Sequence, residues 1–276
     1  MKYSFCSITY GSGASWVPAY TLEETIKRVA GIKYDGLGVV TASPHAWPYH
    51  LDDAKRNYFL EEFKKHNLAV SSIIPFMAGG PGYNVATQNE KERRWTIEYL
   101  KECARLAKAW NSDSIAYLPG WLLYGDDKKT AWKNSVNSLK EVAAFAKEIG
   151  ISVLIQQPLS QTNVVDSPED ARYMLAETNM DNVGLMFDVM SAVNRKQDPA
   201  DYVYMMGKDL KAIHVCDFDR KQPGTAGLDF KQLYLALQEI GYDGYITVEV
   251  EASRSTNADS IARKSLEYLK ELENSI

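Results

Sequence analysis

Eight short runs rich in Val, Ile, Leu and Tyr recur along the chain, at residues 3–9, 36–40, 69–74, 114–118, 152–156, 183–187, 212–216 and 245–250. Longer stretches with helical spacing separate them. Runs that are apolar nearly throughout belong to strands covered on both faces, as in parallel sheets wrapped by helices. Eight is the number that closes such a sheet, so the pattern predicts a (β/α)8 barrel with its working groups at the carboxyl ends of the strands.

The connecting stretches support this reading. Over 131–149, Val136, Leu139, Val142, Phe145 and Ile149 recur at three- and four-residue steps, and Gly150 follows where a helix stop tolerates a left-handed residue. The last stretch places Ile261, Leu266, Leu269 and Leu272 on one side and Lys264, Glu267, Lys270 and Glu271 on the other, which predicts the closing outer helix. The turn Ile32-Lys33-Tyr34-Asp35-Gly36 before the second run is echoed by Ile240-Gly241-Tyr242-Asp243-Gly244 before the eighth. An open, doubly wound sheet usually has fewer strands and often a glycine-rich phosphate loop, for which Gly11-Ser12-Gly13 is too weak.

With 276 residues, 45% of them hydrophobic, the chain is long enough for one barrel, and residues 1–276 are expected to form a single domain. The first residues are too polar for a signal peptide, and no run approaches the ~18 apolar residues of a membrane span. Three widely spaced cysteines, Cys6, Cys103 and Cys216, fit reduced thiols. A cytoplasmic protein without a membrane partner is expected. The net charge of −5, with both signs interspersed, also argues against a nucleic-acid partner.

Polar residues at the ends of predicted strands are the candidates for chemistry. Asp188 follows the sixth run, His214 lies in the seventh, Glu249 ends the eighth, and Gln156 and Gln157 end the fifth. Singly, each has an ordinary structural explanation as a helix cap or a hydrogen-bonded core residue. Jointly, four adjacent strands present N and O donors at one rim, which suggests a divalent metal site. An imidazole, two carboxylates and an amide oxygen suit Mn²⁺ best and are compatible with Co²⁺, Zn²⁺ or Mg²⁺. Among loop residues, His45, between Pro44 and Trp47, is a candidate polar substrate contact. Trp16, Trp47 and Trp121 follow the first, second and fourth runs, where aromatic faces could stack on the apolar side of a ligand or simply pack beneath loops.

Tyr34-Asp35-Gly36, Ser43-Pro44-His45-Ala46-Trp47, Gly150-Ile151, Asn163-Val164-Val165, Ile213-His214-Val215-Cys216-Asp217, Pro223-Gly224, and Gly241-Tyr242-Asp243-Gly244 with Glu249 give the chain a family resemblance. It resembles the xylose isomerase-like sugar phosphate isomerase/epimerase TIM barrels, nearest to fructoselysine 3-epimerase and the ketose 3-epimerases. The resemblance implies a small-molecule sugar substrate, a homo-oligomer (dimer or tetramer), and a metal held by a glutamate, an aspartate, a histidine and a glutamate on strands five to eight. Asp188, His214 and Glu249 match three of these. Counted without a gap from Gly150, the strand-five glutamate falls on Gln156; counted back from Pro158, it falls on Gln157. Gln156 is preferred. Arg220, six residues after His214, matches an arginine of ketose 3-epimerases and is a candidate for substrate hydroxyls, with pairing to Asp217 or Asp219 as the alternative.

The resemblance implies an isomerase or epimerase acting on a ketose or keto-sugar derivative through an enediolate. Glu249 and the residue at Gln156 would form its catalytic pair. A glutamine cannot take up a proton at neutral pH, which points toward one-base chemistry. The chain also has Ser191 where the family often has histidine and Gly38 where it has an acid. These departures keep two other readings open: a lyase or dehydratase on a 3-keto sugar or glycoside, including cleavage of carbon glycosides, and a non-catalytic sugar-binding barrel. A multi-zinc DNA-repair endonuclease of the same superfamily is disfavoured, because four histidines in the whole chain cannot supply such a site.

Overall fold

A computed structural model describes residues 1–11, 19–77, 82–157, 162–251 and 257–276. Eight strands, β1 (Lys2–Cys6), β2 (Gly36–Val40), β3 (Ala69–Ile74), β4 (Ser114–Tyr117), β5 (Ser152–Gln157), β6 (Val183–Asp188), β7 (Leu210–Val215) and β8 (Tyr245–Val248), pair in parallel and in chain order. Closure comes from β1 against β8, in the register Lys2↔Tyr245 through Phe5↔Val248. Outside lie α1 (Leu22–Ile32), α2 (Asp53–Lys65), α3 (Glu90–Ala109), α4 (Lys128–Glu148), α5 (Pro168–Thr178), the short α6 (Val189–Asn194), α7 (Pro199–Met206), α8 (Phe230–Glu239) and α9 (Ala258–Ser275). Among the described residues, no helix is long and apolar enough to cross a membrane.

The main core lies between barrel and helices, where Phe5, Leu37, Ile73, Val153 and Phe187 meet Ile26, Leu100, Leu139 and Leu269. Inside the barrel Ala116, Leu154, Met186 and Ala212 form a separate layer, contributed by β4 to β7. Because side chains alternate along a strand, that layer fixes what lies two residues further on. Gln156 follows Leu154, Asp188 follows Met186 and His214 follows Ala212, so all three point inward. Gln157 is on the opposite face of β5.

The first predicted strand is shorter than expected. Ser7–Tyr10 turn into a 3-10 helix, and the Thr9 hydroxyl donates to the Val250 carbonyl at 2.7 Å, tying the exits of β1 and β8 together. Tyr10 stays fully buried in this turn, so the apolar pattern runs on past the strand end. The repeated helix-to-strand turn is real in the backbone: Lys33 and Gly241, at equivalent positions, both have left-handed φ, +80° and +68°. Gly150 adopts φ +76° just after α4.

The loop after β7 is organised by one carboxylate. Asp217 is buried and accepts four backbone N–H groups: Phe218 at 2.8 Å and Leu228 at 2.9 Å on Oδ1, Thr225 at 2.9 Å and Ala226 at 2.8 Å on Oδ2. Burial pushes its acidity toward the neutral form, but these donors outweigh that and hold the pKa below its usual value. Within the loop, Asp219 and Arg220 are both left-handed, with φ +58° and +56°. Such residues cost roughly 1–2 kcal/mol each, so the hub must over-determine them.

Asp217→Asn exchanges one accepting oxygen for an NH₂ group, leaving two of the four backbone donors unpaired. A loss of about 1.5–3 kcal/mol is expected in urea unfolding at pH 7. Since the folded pKa lies below the unfolded one, the parent's advantage should be complete above roughly pH 4 and shrink as pH falls through the lowered folded value. A gap that stays constant down to acid pH would show that the charge of Asp217 is not what holds the loop.

Candidate active site

Three inward-facing groups meet at the carboxyl ends of β6, β7 and β8. Asp188 closes β6, His214 is the penultimate residue of β7, and Glu249 follows β8, its N–H extending the ladder to the Val215 carbonyl at 3.0 Å. The side chains of Asp188 and His214 are each 1% exposed and that of Glu249 is 16% exposed. His214 Nδ1 lies 2.5 Å from Glu249 Oε2. The contact lacks hydrogen-bond alignment, and among the described residues neither ring nitrogen has a hydrogen-bond partner.

Arg220 enters this group from the Asp217 loop. Its guanidinium lies 2.6 Å from Asp188 Oδ2 and 3.1 Å from Glu249 Oε1. The expected alternative, pairing with Asp217 or Asp219, does not occur. The oxygens of Asp217 are taken by backbone donors, and Asp219 is exposed, 3.7 Å from Lys221. Burial opposes charge on both sides of the bridge. The two carboxylates nevertheless keep Arg220 firmly protonated, and His214 and Arg220 together hold Glu249 well below the usual carboxylate range.

The other candidates separate clearly. Gln156 is buried on the barrel's inner face, directly beside Met186 in the β5–β6 register. Gln157 is 1% exposed, with neither amide atom hydrogen-bonded among the described residues, and its carbonyl accepts the Ser191 hydroxyl. His45 is buried: its Nε2–H donates to the Tyr20 carbonyl at 2.8 Å, and burial lowers its pKa to about 4, so the ring is neutral. Trp121 is half-buried. Asn84 pins its backbone by a bond to its carbonyl at 2.7 Å and one from its N–H at 3.2 Å. Trp47 stacks on Tyr99 beneath its loop, with centroids 5.2 Å apart. Trp16 lies outside the described residues.

Two thiols escaped the sequence reading. Cys6, inward-facing at the end of β1, lies beside Glu249, and Cys216 lies beside Arg220. Burial, reinforced by the neighbouring carboxylates, raises both thiols far above their usual range, so they are neutral. Cys6 also belongs to an apolar wall with Val40, Ala42 and Ile74, against which Ile8 and Phe76 pack. The mouth is therefore divided, apolar along β1–β3 and polar along β6–β8. A cleft of about 730 Å³ near Tyr34, His66 and Trp110 lies at the opposite, amino end of β2 and β3 and shares no residue with this group.

In kind, the donors suit a divalent cation: an imidazole nitrogen and two carboxylates, with Asp188 Oδ2 and His214 Nδ1 buried and without aligned hydrogen-bond partners. Among the described residues, however, no three His, Cys, Asp or Glu side chains are grouped so as to hold a metal ion. The guanidinium of Arg220 stands between Asp188 and Glu249.

Residues 26–272 match the model of the xylose isomerase-like TIM barrel family. Fructoselysine 3-epimerase of Escherichia coli O157:H7 is 23% identical over 258 residues, covering 91% of this chain and 93% of that protein. The crystal structure of D-psicose 3-epimerase with D-tagatose from Clostridium cellulolyticum H10 superposes with a TM-score of 0.84 at 18% identity, covering 99% of both chains. That of 3-keto-D-glucoside 4-epimerase from E. coli gives 0.79 at 18%, covering 98% of this chain and 99% of the other. With the family's model spanning most of its length, this chain belongs to the xylose isomerase-like TIM barrels.

Proposed function

We propose that this protein is a divalent-metal-dependent sugar epimerase or isomerase acting on a ketose or keto-sugar derivative. The observation that carries the reading is that Asp188, His214 and Glu249 stand at the ends of three adjacent strands on one side of the barrel mouth, His214 against Glu249 and Arg220 between the two carboxylates. The epimerase names of its relatives support it. Asp188, His214 and Glu249, with the Gln156 amide oxygen, would hold the ion, for which Mn²⁺ is the first choice. A bound divalent ion supplies polarisation of the substrate ketone, making the neighbouring C–H more acidic.

The chain's own groups then have distinct tasks. Glu249 is a carboxylate at neutral pH; it takes the proton from the carbon beside the ketone, leaving an enediolate, and delivers it to the former carbonyl carbon while the hydroxyl proton passes to the other enediolate oxygen, which completes an isomerisation. The guanidinium of Arg220 offers several N–H donors to hydroxyl or enediolate oxygens. Gln156 can orient a hydroxyl but cannot take up a proton. Inversion at one carbon requires proton exchange on both faces, whereas isomerisation or elimination needs a single base. This favours, as a second reading, a lyase that expels water or an aglycone from a 3-keto sugar.

Glu249→Gln should lower solvent deuterium uptake into the substrate by about 10²–10⁴-fold while circular dichroism stays unchanged. Undiminished uptake would remove Glu249 as the base. Running the parent on a ketose and on a 3-keto glycoside separates the two readings, since only elimination releases an aglycone.

The two strand-five glutamines predict opposite outcomes. Gln156→Glu places an anionic oxygen inside the barrel and should tighten Mn²⁺ binding in calorimetry. Gln157→Glu instead buries a carboxylate on the barrel's outer face, where among the described residues even the amide has no partner, and should lower the melting temperature without tightening Mn²⁺. Tightening in Gln157→Glu alone would move the ligand one residue along.

A further inference from the structure

Each rim carboxylate has one oxygen committed and one facing the same guanidinium. Asp188 Oδ1 accepts the Met190 N–H at 3.0 Å, which leaves Oδ2 to Arg220. Glu249 Oε2 lies against His214, which leaves Oε1 to Arg220. An ion shared by Asp188, His214 and Glu249 would need the oxygens that Arg220 now holds. Two buried carboxylates without a counter-charge would be strongly destabilising, and Arg220, itself mostly buried, is the cation that meets them. Its backbone is fixed independently of that contact. The Asp217 hub holds the loop, and the Arg220 carbonyl accepts the Glu251 N–H at 3.2 Å. The side chain can therefore leave the carboxylates without unfolding the loop.

We propose that Arg220 is the built-in counter-cation of the metal-free site: it holds Asp188 and Glu249 together until a divalent ion displaces it, and displacement frees its N–H donors. This rests on the metal reading above and adds that the chain competes with its own metal. Metal affinity is then weakened, and the metal-free fold stabilised, by the same pair of ionic contacts.

The test compares the parent with Arg220→Gln and Arg220→Lys. None of the three residues is glycine, so the cost of φ +56° at this position is nearly common to all and cancels. In calorimetric titration with Mn²⁺ alone, Arg220→Gln should bind about tenfold or more tightly than the parent, the weight of losing a partly buried ion-pair competitor. Arg220→Lys, which keeps the charge but not the two-pronged reach, should fall between. Without metal, Arg220→Gln should melt below the parent, and saturating Mn²⁺ should close the gap. Equal or weaker Mn²⁺ binding by Arg220→Gln, with the parent binding normally, overturns the proposal and leaves the metal reading intact. No Mn²⁺ binding by parent or variants overturns both. Should Arg220→Gln fail to fold, Arg220→Lys decides: tighter binding than the parent supports the proposal, and equal or weaker binding overturns it.

Discussion

The pairing of β8 with β1 is the constraint from which the site follows. Once the sheet closes, each strand has an inside and an outside, and the two-residue period of side chains decides which polar residues can meet. Leu154, Met186 and Ala212 fill the inner layer, and the residues two further along those strands are Gln156, Asp188 and His214. A one-residue slip in β6 would turn Asp188 toward the helices and bring Phe187 inside. The apolar layer is thus what aims the polar rim above it.

That rim concentrates buried charge. Asp188, Glu249 and Arg220 amount to two negative charges and one positive, with His214 beside them. Buried from water, these charges depend on their attraction to one another, and the shared guanidinium meets both carboxylates. Across the mouth the wall of Cys6, Val40, Ala42 and Ile74 has no charge to offer. Low-dielectric surroundings strengthen every interaction at the polar side, both those that hold the resting arrangement and those a bound ligand would make.

Much of this was legible in the sequence. The eight apolar runs gave the strand number and order, and Asp188, His214 and Glu249 stood out as polar residues ending them. Strand limits were less visible where burial outlasts the strand: Tyr10 is as buried as Phe5 although the chain has already turned. At Gln156 and Gln157 the sequence offered two counts, and only the pleat, anchored by Leu154, distinguishes inward from outward. His45 is a candidate substrate contact from its place in a loop, but its burial and its bond to the Tyr20 carbonyl are not announced by the local sequence. Arg220 was found as a residue but not in its partners, since its direction depends on two left-handed residues that no local pattern announces.

Asp217 shows why those partners were hidden. Three residues from His214, in a segment crowded with acids, it has the look of a chemical group and the nearest claim on Arg220. Its four backbone bonds saturate both oxygens and take it out of that competition. Asp219, turned outward, keeps its charge in solvent. The guanidinium is left with Asp188 and Glu249 as its counter-ions. The electrostatics of the mouth are therefore set partly in a loop that supplies no other rim group: an acid satisfied by the backbone decides where the neighbouring cation must go.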